Sequence, residues 1–189
     1  MILLLVACSH QSAAPVDTRV EETGIITRGG TPLTLLGPTL DVGDAMPDVA
    51  VSDGKLQPIQ LGSLKGKLVV LSVVPSIDTP VCENQTHKMS AAIDQMPPGT
   101  QVFTISRDLP FAQSRFASEA MIKTTMASDY HGGAFGRAFG LEVKESGLLA
   151  RSVWVIGADG KIAYRQLVAD QGNEPDYDAV IAAVKLAAK

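Results

Sequence analysis

The sequence is poor in thiols, in clustered positive charge and in metal-ligand groupings, and each shortage removes a class of function. Only two cysteines occur in 189 residues, and Cys82 is followed by Glu83-Asn-Gln85 rather than by a second cysteine. The Cys-x-x-Cys chemistry of disulfide oxidoreductases is therefore missing. Lys and Arg number 16 against 20 Asp and Glu, the formal net charge is -4, and the basic residues are scattered. Nucleic acid is excluded as a partner, because neutralising phosphates needs clustered cations. His10, His87 and His131 are dispersed, without Cys or carboxylate partners at ligand spacing, so neither a metal nor a cofactor is expected. Gly132, Gly133 and Gly136 lack the strand-turn-helix fingerprint of a dinucleotide site and read as glycines of a loop and a helix start.

What is present suits one globular domain: 46% apolar and 19% charged residues, without repeats or low-complexity tracts. Residues 9–30 mix Ser, Thr, Glu, Pro and Gly without an apolar period and read as a tether, leaving 31–189 as the folded domain. Thr31 to Leu36 and the stretch from Leu40 to Val42 read as two short strands joined by Gly37-Pro38, an N-terminal hairpin. Lys67 to Val74 is a β-branched run between Gly66 and Pro75, the pattern of a central strand buried on both faces. Cys82 to about Met96 is helical in composition and stops at Pro97-Pro98-Gly99. Gln101 to Ser106 follows as a strand, making a right-handed β-α-β unit. Ser152 to Ile156 and Lys161 to Val168 form a hairpin across Gly157-Ala-Asp-Gly160, with Trp154 and Phe103 in the core, and a last helix runs from about Asp176 to Ala187. The fold class is α/β, a mixed central sheet flanked by helices.

The chemistry concentrates in Pro75-Ser-Ile-Asp-Thr79-Pro-Val-Cys82, where the central strand gives way to a helix. Cys82 falls in the first helical turn, where unpaired N–H groups and the positive end of the dipole favour the thiolate, the reactive form. Thr79 is three residues earlier, able to donate to the sulfur, to accept from a peroxide O–H, or to cap the helix. Displacement on a peroxide oxygen needs the O–O bond held in line with sulfur and charge stabilised on the leaving oxygen. Arg151, at the start of the strand beside the central one, is the candidate cation for both tasks, and Pro75 is placed to exclude water. Phe111 and Phe116 are candidates for an apolar mouth suited to organic hydroperoxides.

Pro75-x-x-x-Thr79-x-x-Cys82 resembles the active-site motif of the peroxiredoxins, and the fuller octapeptide is similar to that of their thiol peroxidase subfamily. Asp108-Leu-Pro-Phe-Ala-Gln-Ser-Arg-Phe116, Leu149-Ala-Arg-Ser-Val153 and Gln166-Leu-Val…Glu174-Pro-Asp-Tyr177 agree with it, so the resemblance runs from about residue 26 to the C-terminus. It implies a thioredoxin-like fold, a homodimer, Cys82 as the peroxidatic cysteine, and Thr79, Arg151 and Pro75 completing the site. It also exposes a departure. The subfamily places a resolving cysteine directly after Ser-Arg-Phe, and this chain has Ala117 there. One-cysteine behaviour follows, with a Cys82 sulfenic acid reduced by an external thiol, either a thioredoxin-like protein or a small thiol. The alternative is a sensor or redox-binding module that reacts once and passes the oxidation to a partner.

The apolar run Met1 to Ala7 is far short of the ~18 residues that span a bilayer. It ends in Leu5-Val-Ala-Cys8, which resembles the lipobox of bacterial lipoproteins, although a positive n-region is lacking. The expectation is a lipid anchor on Cys8 and a place in the bacterial periplasm or cell envelope. The alternative is a cytoplasmic protein with a free Cys8 as a second thiol.

Overall fold

The structure is a computed structural model that describes residues 20–189. The expected lipidation site at Cys8 and the first part of the expected tether lie outside the described residues.

Strand formation begins earlier than composition suggests. Residues Glu21–Arg28 form β1, which pairs antiparallel with β2, Thr31–Leu36. The connection is Gly29-Gly30 with φ of +56° and +81°, a backbone only glycine adopts without strain in a two-residue hairpin loop. An N-terminal hairpin therefore exists, but its first strand is the segment read as tether, and Leu40 to Val42 form no strand. Of β1 only Ile26 is buried, and it joins Leu35 of β2 in fixing the hairpin to the core. β8, Glu142–Val143, adds a third strand to this small sheet.

The central sheet has seven strands in the order β10-β9-β5-β6-β7-β3-β4. They are β3 (Ala50–Ser52), β4 (Pro58–Gln60), β5 (Val69–Val73), β6 (Gln101–Ser106), β7 (Thr125–Ser128), β9 (Ser152–Ile156) and β10 (Ile162–Leu167). β5 lies parallel to β6 and antiparallel to β9, and all five of its residues are buried. Alternation sorts its side chains: Val69, Leu71 and Val73 enter one core layer with Phe103, Ile105, Trp154 and Ile156, while Val70 enters the opposite layer with Val153 and Val155. α1 (Pro80–Ala92) and α4 (Tyr177–Ala187) close the second layer with Met89, Val180, Ile181 and Val184. Each such side chain contributes roughly 1.5–3 kcal/mol of apolar burial. α2 (Pro110–Glu119) packs on β7, and α3 (Ala134–Ala138) starts at Gly133. The mixed α/β sheet with helices on both faces is the architecture expected of the sequence.

Candidate active site

The loop that leaves β5 carries the site. Val74 N–H donates to Ile105 O at 2.9 Å, the last tie to the sheet before Pro75. Thr79 is extended, with φ -130° and ψ 141°, and Pro80 opens α1, a position where a missing N–H costs nothing and φ is already helical. Cys82 is thereby the third residue of α1, inside the turn whose N–H groups have no partner in the helix. Its side chain is fully buried, with Val74, Ile77 and Met126 on one side.

Arg151 reaches the sulfur because of strand register. β9 pairs with β5 so that Ser152 faces Val73, which leaves Arg151 beside the first residues of the loop. Its Nη2 donates to Cys82 Sγ at 3.3 Å, Nη1 to Gln85 Oε1 at 2.7 Å and Nε to Gln171 O at 3.2 Å. The guanidinium is buried and its fork is fully directed, a planar geometry Lys cannot copy. Gln85 is fixed in turn by donating to Ser72 Oγ at 2.9 Å, and Gln171 by donating to Val168 O at 2.6 Å. Gln85 and Gln171 were not singled out in the sequence. A Gln three residues after the cysteine on one helix face was the available signal.

Of the four expected residues, Arg151 and Cys82 are in direct contact, while Pro75 and Thr79 lie on the chain segment that leads into α1. The Thr79 hydroxyl donates to Ser76 O at 3.2 Å and makes no capping bond to the helix. Its proton is therefore committed away from the sulfur, and its oxygen keeps lone pairs with which to accept from a substrate O–H. Thr79 caps through its main chain instead, accepting from Glu83 N–H at 2.9 Å. Pro75 is buried and walls a cavity of about 60 Å³ with Leu33, Leu149 and Gln171, with Arg28 at its side. Phe116 and Ala117 pack against the cluster that holds Cys82, while Phe111 is 61% exposed. His87 stacks edgewise on Phe116 and lies 3.8 Å from Glu83. Beyond Arg151, burial pulls the Glu174 carboxyl up, but the Tyr177 hydroxyl, Lys88 and the Arg151 charge together hold it below the usual range. Burial and Glu174 raise the Tyr177 phenol well above its ordinary value.

A buried thiol, a forked cation on the sulfur and a hydroxyl with free lone pairs form a site for displacement on oxygen. Comparison with known proteins agrees. A profile of the Redoxin family matches residues 41–181. The chain is 42% identical to the thiol peroxidase of Halalkalibacterium halodurans, over 86% of this chain and 98% of that one. It is 41% identical to that of Bacillus subtilis, over 87% and 98%. Among solved structures, a peroxiredoxin-like protein from Aquifex aeolicus superposes with a TM-score of 0.81 at 40% identity, covering 87% of this chain and 96% of that one. With the family match running over residues 41–181, site loop included, and the relatives covering 86–87% of the chain, the chain belongs to the Redoxin family, among the thiol peroxidases of the peroxiredoxins.

Proposed function

We propose that the chain is a thiol-dependent peroxidase that reduces hydrogen peroxide and organic hydroperoxides through Cys82. The Cys82 thiolate attacks the terminal oxygen of the hydroperoxide, an S–O bond forms and the O–O bond breaks, and the leaving oxygen departs as water or alcohol after taking a proton. Arg151 stabilises the thiolate and then the charge growing on the leaving oxygen, while the Thr79 oxygen accepts from the substrate O–H and sets the in-line geometry. Pro75 keeps bulk water from the sulfur. An external thiol then attacks the sulfenic sulfur, releasing water and leaving a mixed disulfide, and a second thiol restores Cys82. The single observation that carries this reading is the 3.3 Å contact from Arg151 Nη2 to Cys82 Sγ.

Reduction by an external thiol is supported by Ala117, which stands where the subfamily's resolving cysteine belongs. Homodimerisation is supported by the exposed Leu109, Phe111 and Met121 around α2. The lipid anchor on Cys8 and an envelope location rest on Leu5-Val-Ala-Cys8 alone.

The test is peroxide consumption with and without dithiothreitol, beside Cys82→Ser. Sustained turnover that needs the thiol and is lost in the variant is expected. One equivalent consumed at most, with thiol present, would replace the enzyme by a single-use sensor.

A further inference from the structure

Arg151 holds Cys82 and Gln85 of α1 from the β9 side; the loop that leads into α1 is held from the β6 side by a residue the mechanism above does not use. Asp108 follows β6, and its carboxylate gathers three donors. Oδ1 accepts from Ser76 Oγ at 2.7 Å, and Oδ2 accepts from Ile77 N–H at 2.8 Å and from Ser106 Oγ at 2.6 Å. Ser76 then passes the constraint on, since its carbonyl accepts the Thr79 hydroxyl at 3.2 Å. Ile77 passes it on by a second route, its side chain packing in the cluster that contains Cys82. The receiving end is itself fixed: the buried Gln113 donates to Ser106 Oγ at 2.8 Å and to Ala127 O at 3.0 Å. Asp108 thereby ties the loop that carries Thr79 and Cys82 to β6 and α2.

The sulfur has no exposed surface and Ile77 of this loop packs in its cluster, so every reagent needs some opening around it, and a bulky thiol or disulfide needs a larger one than a peroxide does. Resting on the peroxidase reading, we propose that Asp108 is a positioning residue, a latch that holds loop 75–79 in its peroxide-reactive form and whose release opens Cys82 to the external thiol. Closed, the latch favours attack on peroxide. Open, it favours attack by thiols and disulfides on the sulfur. Weakening it moves the two reactivities in opposite directions, because reaction with a bulky reagent scales with the open population.

Asp108→Asn keeps the volume but replaces one acceptor oxygen by a donor NH2, so one of the three donors loses its acceptor if the NH2 stands at the Oδ1 position and two if it stands at Oδ2. The measurement uses the full chain carrying Cys8→Ser, so that Cys82 is its only thiol. Two rate constants are compared with the same chain retaining Asp108: oxidation by hydrogen peroxide, and modification by the aromatic disulfide DTNB. The expected result is an oxidation rate down by about tenfold and a DTNB rate up by about tenfold, the ratio that one hydrogen bond to a charged group supports. Ser76→Ala removes a single donor and is expected to shift both rates the same way by less, and it provides the reading if Asp108→Asn fails to fold. Unchanged DTNB rates, or two rates that fall together, overturn the latch. The DTNB arm contains no peroxide, so lack of peroxide turnover by the unaltered chain would sink the peroxidase reading and leave the latch to be judged on that arm.

Discussion

Replacing Arg151 by Met removes the charge at the sulfur while keeping a long, flexible apolar side chain. At 3.3 Å a full charge pair is worth about 5 kcal/mol at an effective dielectric near 20. Desolvation of the buried guanidinium returns part of that. Only the share that grows between the bound thiolate and the transition state speeds the reaction, as charge spreads from sulfur to the leaving oxygen. A directed donor in such a site is worth about 10²–10³ in rate, and that is the expected fall in the second-order rate constant for Arg151→Met. Arg151→Lys keeps the charge but cannot meet the sulfur, Gln85 Oε1 and Gln171 O together, and a fall of about tenfold is expected.

The assay is stopped-flow or competition kinetics with hydrogen peroxide, at neutral pH and again where an ordinary thiol is ionised. The variant strands two buried acceptors, costing about 1–3 kcal/mol each, so thermal melts must first show that it is folded at the assay temperature. If the Met variant reacts within a factor of a few of the unaltered chain at both pH values, the role assigned to Arg151 is wrong. If the gap closes only at alkaline pH, Arg151 serves to supply thiolate and its part in the transition state is refuted.

Ala117 packs on the cluster around Cys82, so Ala117→Cys in a Cys8→Ser chain is expected to form an intramolecular disulfide on peroxide treatment. Mass spectrometry showing a free thiol at 117 beside overoxidised Cys82 would contradict this. A Cβ at Gly37, where φ is +112°, would run into the Arg137 carbonyl oxygen, so Gly37→Ala should lower unfolding stability by about 1–3 kcal/mol, and an unchanged urea midpoint would refute it. Burial pulls the Glu142 carboxyl up, but Arg107 at 2.8 Å and Arg137 at 3.3 Å hold it below its ordinary 4.5. A folded-state pKa below the unfolded one gives stability that is present above 4.5 and lost as pH falls through the folded value. Glu142→Gln should therefore lower the melting temperature at neutral pH and converge with the unaltered chain in acid, whereas an equal deficit at every pH would show the loss to be one of packing.

The parts of the fold legible in the sequence are those whose burial leaves a periodic trace. β6 and β9 carry the expected bounds and β5 differs by a few residues at its ends, because strands buried on both faces are written as unbroken apolar runs. α1 starts two residues before Cys82, at Pro80, and its last turn tightens to 3₁₀ over Ile93–Gln95. β1 left no such trace, since a strand with a single buried residue has the composition of a linker. Its partner was then sought across Gly37-Pro38, although Gly29-Gly30 is the hairpin turn. The three-residue β3 and β4 are too short for alternation to register. The site divides along the same line. The meeting of Cys82 and Arg151 was legible because displacement on oxygen calls for a cation at the sulfur and the resemblance points to Arg151, and the β5–β9 register then brings the two together. Gln85, Gln171 and Asp108 were not, because their work is to satisfy buried donors and acceptors. A polar side chain buried for that purpose is spelled the same as one facing water, and only the partners on β5, β6 and the Cys82 loop distinguish the two.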